Sequence, residues 1–236
     1  MTTDPHRYYP IFLQIAGRNV LIVGGGEVAA RKVETLLRYG ARITVVATHI
    51  AEFITEMASS GRLMVRSRAY SADDIEDQFL VVAATNDTKV NRQVALDARV
   101  RGAMVNVVDL PQLCDFIVPA ILQRAPIQVA VSTGGSSPAL ARIIRQRVEA
   151  VITPGLAELT EMLGSLRTVA RETLHTDAER KRFFDGVVDS DVLSHLESGR
   201  RGDAYRSLRE LCHAAGIVLP PDLSSRLEAP DEAPGE

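Results

Sequence analysis

The residues best suited to chemistry near the start of the chain are three consecutive glycines. Gly24, Gly25 and Gly26 follow the apolar run 19–23 (NVLIV), and Ala29 completes the spacing Gly-x-Gly-x-x-Ala. In this spacing the first glycine permits a tight turn, and the second lets the backbone approach a diphosphate. The third, small residue packs a helix against its strand, and the helix N-terminus attracts phosphates. The pattern therefore predicts a diphosphate-binding turn.

The sequence around these glycines contains the elements that such a turn requires. Residues 27–39 show the apolar spacing of an amphipathic helix that ends before Gly40. Residues 42–47 (RITVVA) then read as a second strand. A glycine turn in this strand–turn–helix–strand context favours a dinucleotide, with NAD as the expected cofactor. A tight turn without a ligand, in an unrelated α/β protein, is the alternative.

The end of the second strand lacks a residue that NAD sites usually have. An Asp or Glu at this point normally binds the ribose hydroxyls, but the chain here reads Ala47-Thr48-His49. We therefore expect Thr48, His49 or backbone groups to hold the ribose. No arginine occurs at this strand end to bind a 2′-phosphate, which favours NAD over NADP.

Strand and helix patterns alternate through the first half of the chain. Such alternation predicts a Rossmann-like, doubly wound parallel sheet in an α/β domain over residues 1–114. The predicted strands are 19–23, 42–47, 62–66, 79–85 and 104–108, and the predicted helices are 27–39, 50–60 and 87–101.

The pattern changes after residue 109. Two strand-like pieces, 115–121 and 127–132, and a helix at 138–151 predict a small α+β dimerisation segment over residues 115–152. The following residues read as helical and predict a C-terminal helical domain over 153–220. The last stretch, 221–236, is rich in Pro, Glu, Asp and Ser, which predicts a disordered tail.

Polar residues stand at the ends of the later strands. Thr85 and Asn86 lie where the fourth strand meets its helix, and both are candidate cofactor-binding residues. Asn86 is expected to contact the nicotinamide side of the cofactor or to cap that helix. Asn106, within the fifth strand, is expected to face the same cleft. Asp109 follows this strand at its carboxyl end, where open α/β sheets bind ligands. A carboxylate there is suited to general base catalysis, although an Asp before Leu-Pro also caps turns, and the residues alone leave both readings open.

A second glycine-rich stretch precedes the helix at 138. Converging N–H groups and hydroxyls there could bind an anion, with Arg142 and its neighbours Arg124 and Arg145 as candidate partners for carboxylates. The alternative is an ordinary helix cap followed by a solvated basic face. The candidate substrate residues are Thr133, Gly134, Gly135, Ser136, Ser137 and Arg142.

The composition excludes several other functions. The net charge of −3 argues against a nucleic-acid binder, and aromatic residues are only 5% of the chain. The two cysteines form no CxxC pair and the histidines have no ligand spacing, so we expect no resident metal site. No apolar run is long enough to span a membrane and the first residues do not resemble a signal peptide, so we expect a cytoplasmic protein without membrane contact.

Four blocks in order extend the argument to a known family. They are YYPIFLQIAGRNVLIVGGGEVAARKVETLLRYGARITVVA (8–47), VVAATNDTKVN (81–91), NVVDLPQLCDFIVPAIL (106–122) and VAVSTGGSSPALARIIRQRVE (129–149). Together they resemble precorrin-2 dehydrogenases, the NAD-dependent enzymes of sirohaem synthesis that occur alone or as the N-terminal part of sirohaem synthase. The resemblance is close from residue 8 to about 150.

This resemblance implies a reaction and residue roles. It implies NAD-dependent dehydrogenation of the anionic tetrapyrrole precorrin-2 to sirohydrochlorin, carried out by a homodimer. The methyltransferase domain of the fused synthases is not expected in this chain. In some members Fe²⁺ insertion follows, with iron as a substrate rather than a bound cofactor. The catalytic carboxylate of the family maps onto Asp109. Its NAD contacts map onto the glycine turn through Glu27 and Val28, and onto Thr48 and His49.

Two other functions remain as alternatives. One is a regulatory module that binds NAD without chemistry, although such modules usually carry the acidic residue that is absent here and have no need of the 106–149 blocks. The other is an NAD-dependent dehydrogenase of a different substrate. Turnover of precorrin-2 with NAD⁺ distinguishes the three.

Overall fold

The computed structural model describes residues 8–227, which divide into two compact units. The first unit contains residues 8–118 and 134–136, and the second contains 119–133 and 137–227. No helix in the described part of the chain is long and apolar enough to cross a bilayer.

The first unit is built on a five-stranded sheet. Its strands are β1 (Asn19–Val23), β2 (Arg42–Val46), β3 (Met64–Arg66), β4 (Leu80–Ala83) and β5 (Met104–Val107). They lie in the order β3-β2-β1-β4-β5, and every neighbouring pair is parallel. The chain adds β2 and β3 on one side of β1 and then returns to add β4 and β5 on the other side. The predicted doubly wound sheet is therefore confirmed.

Both faces of the central strands are covered, which is why β1 and β4 are almost entirely apolar, whereas the edge strand β3 is largely exposed. Successive side chains of a strand point to opposite faces. Val20 and Ile22 accordingly join one core cluster, whereas Leu21 and Val23 join the other. Three helices supply the covering residues: α1 (Glu27–Arg38), α2 (Glu52–Ser59) and α3 (Thr88–Val100).

The edge of the sheet at β5 is closed by the segment that follows it. Asp115 donates its N–H to Val105 O (2.8 Å), and its carboxylate accepts the Val105 N–H (3.0 Å). The Cys114 thiol similarly lies 3.2 Å from the Val107 N–H. The predicted strand 115–121 is therefore wrong for residues 115–119, which close an edge that would otherwise stay open, and a strand begins only at Ala120. For the same reason the first unit extends beyond 114, to residue 118.

The second unit begins with a hairpin of β6 (Ala120–Arg124) and β7 (Ile127–Val131), which pair antiparallel, followed by α4 (Pro138–Glu149). Five more helices surround an apolar core that includes Met162, Leu166, Val187 and Leu208. They are α5 (Pro154–Thr173), α6 (Asp177–Val188), α7 (Val192–Glu197), α8 (Arg201–Ala214) and α9 (Pro221–Leu227).

Helix α9 corrects the predicted disordered tail. Residues 221–227 are helical because Leu223, only 2% exposed, completes the helical core. Ser165 also donates a hydrogen bond of 2.7 Å to the Asp222 carboxylate. The rest of the predicted tail, 228–236, lies outside the described residues.

Candidate active site

A cavity of about 840 Å³ lies at the carboxyl edge of the sheet in the first unit. Its walls come from the segments that follow β1, β2, β3 and β4, at the point where the strand order reverses. Open α/β sheets bind their ligands at this point. All nine residues predicted to bind the cofactor line it: Gly24, Gly25, Gly26, Glu27, Val28, Thr48, His49, Thr85 and Asn86.

Two of the three glycines are required by packing. Gly24 has a φ of +122°, and a Cβ there would overlap the carbonyl of Ala84 after β4. A Cβ on Gly25 would overlap the His49 carbonyl and lie 3.0 Å from Ala47 Cβ. These contacts hold the turn tightly between the ends of β2 and β4.

Gly26 differs from both neighbours. A Cβ there would meet no protein atom within 4 Å, and the residue is exposed to the cavity. It is the N-cap of α1 and offers no side-chain acceptor to the first turn of the helix. In contrast, Asp87 caps α3 by accepting the Lys89 N–H at 2.8 Å. The first N–H groups of α1 are therefore left for an anion in the cavity.

Thr48 and His49 lie exposed at the end of β2, with Thr48 Oγ1 3.2 Å from His49 Nδ1. Arg68 and Tyr70, which follow β3, line the same cavity. Neither was found from sequence. No arginine follows β2 itself, as the sequence indicated, but Arg68 reaches the cavity from the end of the neighbouring strand β3. The available signal was the spacing Arg66-x-Arg68 at the end of a strand, but only the sheet order shows that β3 lies beside β2.

Arg68 is held by a buried carboxylate. It donates to Asp74 Oδ2 at 2.8 Å, and Asp74 also accepts bonds from Arg66 (2.6 Å) and from the Ser71 N–H (2.9 Å). Burial alone would raise the pKa of Asp74, but the hydrogen bonds from Arg68, Ser71 and Arg66 together outweigh it and lower the pKa to about 2. Asp74 is therefore an anion that fixes the guanidinium at the cavity wall.

Tyr70 is fixed by a second carboxylate. Its hydroxyl donates a hydrogen bond of 2.8 Å to Asp97 on α3. Burial and this bond raise the pKa of Tyr70, so the ring stays neutral and in place beside Arg68.

The two side chains after β4 differ in their contacts, because Thr85 is hydrogen-bonded within the protein and Asn86 is exposed to the cavity. The Thr85 hydroxyl donates to Asn91 Oδ1 at 2.7 Å, and the Asn91 amide returns a bond to Thr85 O at 2.9 Å. Asp87, not Asn86, caps the next helix, so the capping interpretation of Asn86 is wrong. Asn86 is exposed on the cavity wall.

The prediction that Asn106 faces the cleft is wrong. Its side chain is buried and donates a hydrogen bond of 2.9 Å to Phe116 O in the segment that closes the sheet edge. Because Asn106 lies inside β5 and not beyond the strand end, its amide stabilises the closed sheet edge and does not reach the cavity.

Asp109 lies at the carboxyl edge, two residues after β5, as predicted. It is exposed and has a φ of +61°, a conformation that few residues other than glycine adopt. Its carboxylate has no hydrogen-bond or ion-pair partner among residues 8–227, so it does not cap the turn at Leu110. It is not among the residues that line the 840 Å³ cavity, which ends at the neighbouring strand β4.

The glycine-rich stretch before α4 uses its hydroxyls internally. Thr133 Oγ1 accepts the Ser137 N–H and donates to Ser137 O, both at 3.0 Å, and Ser137 Oγ accepts the Leu140 N–H at 3.2 Å. Ser137 is thus the helix cap that the sequence also allowed. Gly134 and Gly135 have positive φ angles, and Arg142 is exposed on α4. Among residues 8–227, no group of three His, Cys, Asp or Glu side chains could hold a metal ion.

Three family models match consecutive parts of the chain. A model described as NAD(P)-binding matches residues 11–120, and the central region of sirohaem biosynthesis proteins matches 124–150. The sirohaem synthase dimerisation region matches residues 155–211.

Curated relatives and a solved structure agree with these matches. Siroheme synthase from Methylococcus capsulatus is 43% identical over 88% of this chain, and siroheme synthase 1 from Serratia proteamaculans is 37% identical over 86%. The chain spans only 44% and 43% of the length of these relatives. The structure of SirC, a precorrin-2 dehydrogenase, is 26% identical with a TM-score of 0.71, and the match covers 86% of this chain and 100% of that one.

Proposed function

Because the chain belongs to the sirohaem synthase family and carries its NAD(P)-binding, central and dimerisation regions, we propose that it is an NAD-dependent precorrin-2 dehydrogenase. It converts precorrin-2 to sirohydrochlorin by removing two hydrogens, one as hydride and one as a proton. The observation that carries the proposal is the uncapped glycine turn, which opens into a cavity at the switch point of a chain that aligns with all of SirC.

The residues of the cavity fit a dinucleotide. The exposed N–H groups at Gly26 and Glu27 bind the diphosphate, while Thr48 and His49 bind the ribose. Asn86, exposed on the opposite side of the turn, orients the nicotinamide end. Bound NAD⁺ supplies the hydride acceptor, and the protein supplies its position relative to the substrate.

Asp109 is the general base of this reaction. Loss of hydride from the tetrapyrrole leaves a cation that must release a proton, and a carboxylate within reach of the ring accepts it. Support comes from its position at the carboxyl edge, its strained backbone and the absence of a side-chain partner within residues 8–227. A carboxylate that no other group occupies is available to take a proton.

The substrate is a polycarboxylate, so its binding requires cations and N–H donors. Arg142 is one proposed contact, and the backbone N–H groups of Gly135 and Ser136 are the others. The hydroxyls of Thr133 and Ser137 shape this loop instead of binding directly, since both are engaged within it.

A homodimer is the proposed assembly, and the matched dimerisation region supports it. Several apolar side chains of α4 and of the residues just after it are also exposed. They are Leu140, Ile143, Ile144 and Val151. The cytoplasm is the proposed location, since both Cys114 and Cys212 are free thiols.

Turnover tests the reaction directly. Purified protein with enzymatically generated precorrin-2 and NAD⁺, under anaerobic conditions, is expected to form NADH and sirohydrochlorin in equal amounts. Absence of NADH formation while the substrate is intact would reject the proposed reaction. Insertion of Fe²⁺ stays a separate prediction, which is tested by adding Fe²⁺ or Co²⁺ to sirohydrochlorin with and without the protein.

The role of Asp109 has a matched control in Asp77. Both are exposed aspartates with φ near +60°, but Asp77 precedes β4 and so lies at the opposite edge of the sheet. Asparagine tolerates this backbone conformation, so neither substitution disturbs the fold. Asp109→Asn is expected to lower turnover about 100-fold or more with NAD binding retained, whereas Asp77→Asn leaves turnover unchanged. Unchanged turnover in Asp109→Asn would remove Asp109 from its role.

A further inference from the structure

The order of the strands indicates on which side of the cavity the adenosine half of the cofactor lies. The glycine turn that receives the diphosphate follows β1, and Asn86, on the proposed nicotinamide side, follows β4. Strands β2 and β3 lie on the other side of β1. The adenosine half therefore extends toward the ends of β2 and β3, where Tyr70 lines the cavity with an aromatic ring that suits the adenine.

The pairing of β2 with β3 brings Arg68 to this end of the cavity. Val46 and Arg66 are partners in the parallel register, and the Ala47 N–H donates to Arg66 O at 3.3 Å. Thr48 and Arg68 each lie two residues beyond these partners. The two side chains therefore leave adjacent strand ends, and both residues line the cavity.

The carboxylate that contacts Arg68 is not available to a ribose. Dinucleotide-binding folds usually hold the ribose hydroxyls with an Asp or Glu at the end of β2, but residues 47–49 of this chain include no acid. Asp74 is close, but its side chain is fully buried, and its two oxygens already accept hydrogen bonds from Arg68, Arg66 and the Ser71 N–H. Asp74 therefore cannot bind the ribose itself, and Arg68 lies between it and the cavity as a hydrogen-bond donor.

Arg68 keeps part of its guanidinium free for a ligand. Nη1 donates to Asp74 Oδ2 at 2.8 Å and to Ala69 O at 2.9 Å, and Nη2 donates to Asp74 Oδ1. A guanidinium has five N–H groups, so the Nε–H and the second N–H of Nη2 are left without an acceptor among residues 8–227. The side chain is 47% exposed. These two N–H groups run parallel along one edge of the planar guanidinium, which suits the two neighbouring oxygens of a diol.

We propose that Arg68 binds the adenosine ribose of NAD by donating these two N–H groups to the 2′- and 3′-hydroxyl oxygens. The guanidinium thus takes the place of the carboxylate that other dinucleotide sites use. Because Asp74 already fixes the guanidinium, Arg68 loses little conformational freedom when it binds the ribose. The inference rests on the dinucleotide site proposed above, whose cofactor remains NAD, and adds to it a binding residue that lies outside the glycine turn and the end of β2.

Calorimetric titration of the full chain with two ligands tests this inference without substrate turnover. The ligands are NAD⁺ and its analogue that lacks the 2′-hydroxyl of the adenosine ribose. The wild type is expected to bind NAD⁺ at least about tenfold more tightly than the 2′-deoxy analogue, because the analogue leaves one N–H of a charged donor without its acceptor. Arg68→Gln is expected to bind NAD⁺ at least about tenfold more weakly than the wild type does, and to distinguish the two ligands by less than about threefold.

Arg66→Gln is the matched control. Arg66 donates to the same carboxylate at 2.6 Å, and its side chain is 46% exposed, but it does not line the cavity. This variant is expected to keep both the wild-type affinity for NAD⁺ and the preference for NAD⁺ over the analogue. Arg68→Lys is a second variant, which keeps a cation beside Asp74 for folding but lacks the two parallel N–H groups, so it is expected to lose the preference as Arg68→Gln does.

The outcomes separate this inference from the proposed function. Three results would overturn the role of Arg68 and leave the dehydrogenase intact: equal binding of the two ligands by the wild type, a wild-type preference for NAD⁺ in either Arg68 variant, or the same losses in Arg66→Gln. Absence of NAD⁺ binding by the folded wild type would overturn the site on which both proposals rest.

Discussion

Alanine at two neighbouring glycines, Gly25 and Gly26, is expected to separate what the fold requires from what the cofactor requires. Both residues belong to the same turn, and both substitutions add a single methyl group. The surroundings of that methyl group differ completely, since at Gly25 it overlaps protein atoms and at Gly26 it enters the open cavity.

Gly25→Ala is expected to destabilise the protein. The added Cβ would overlap the His49 carbonyl oxygen and lie 3.1 Å from its carbon and 3.0 Å from Ala47 Cβ. These neighbours are backbone atoms or a short side chain that cannot rotate away, so the end of β2 must move. Overpacking of this kind costs about 3 kcal/mol. For a chain of this length the melting temperature falls by roughly 6–12 °C.

Gly26→Ala is expected to lower stability much less than Gly25→Ala and to weaken binding of the cofactor. Its φ of −82° and ψ of −172° suit alanine, so the free energy of unfolding falls only by the difference between glycine and alanine as N-cap residues, about 0.7 kcal/mol. The methyl group would stand where the diphosphate approaches the first N–H groups of α1. Loss of one charge-assisted hydrogen bond, about 1.5 kcal/mol, weakens NAD⁺ at least tenfold.

Differential scanning fluorimetry and NAD⁺ titration of both variants against the wild type provide the measurement. Wild-type affinity in Gly26→Ala would show that the diphosphate does not approach this turn. A wild-type melting temperature in Gly25→Ala would show that the turn is not packed against His49, and either result would refute the reasoning.

Three further outcomes follow from other parts of the structure. The pKa of Asp74 is lowered from 3.8 to about 2 in the folded protein. The ionised carboxylate therefore contributes about 2 kcal/mol to the free energy of unfolding above pH 4, and this contribution is lost as the pH falls through 2. Urea unfolding at a series of pH values should show this loss in the wild type and not in Asp74→Asn. Burial raises the pKa of Cys212 to about 11, so a thiol reagent at pH 8 should label it only after unfolding, and rapid labelling of the native protein would contradict its burial. Ile143→Glu places a charge on the exposed apolar surface of the matched central region and is expected to give a monomer by light scattering. Val218→Glu is the control that stays dimeric, since Val218 is 77% exposed but lies beyond all the matched regions.

Several parts of the fold could be predicted because their causes are local in sequence. The buried strands are continuous apolar runs, and Gly24 and Gly26 lie at the spacing that a diphosphate turn needs. Ser137 followed by Pro138 predicts the start of α4, and the structure shows Ser137 capping that helix. Such signals depend on propensity and on neighbours within one or two turns of chain.

Other parts depended on residues that are distant in sequence. The segment 115–118 looked like a strand because it is apolar, but Asp115 and Phe116 bond to β5 and close its edge. Helix α9 looked disordered from its Pro and charged residues, but Leu223 fills the core between helices. In both cases tertiary contacts outweighed local composition.

The sequence by itself determined the glycine turn and the position of Asp109 after a strand, because each follows from residues that are close in the chain. Only the tertiary structure decided which of the glycines is free to face the cavity and which arginine lines that cavity together with Thr48. Gly25 is confined by His49, and Arg68 lies next to Thr48 through strand pairing. The physical reason is that strand order and close packing bring together residues about 20 positions apart, and no local pattern records those distances.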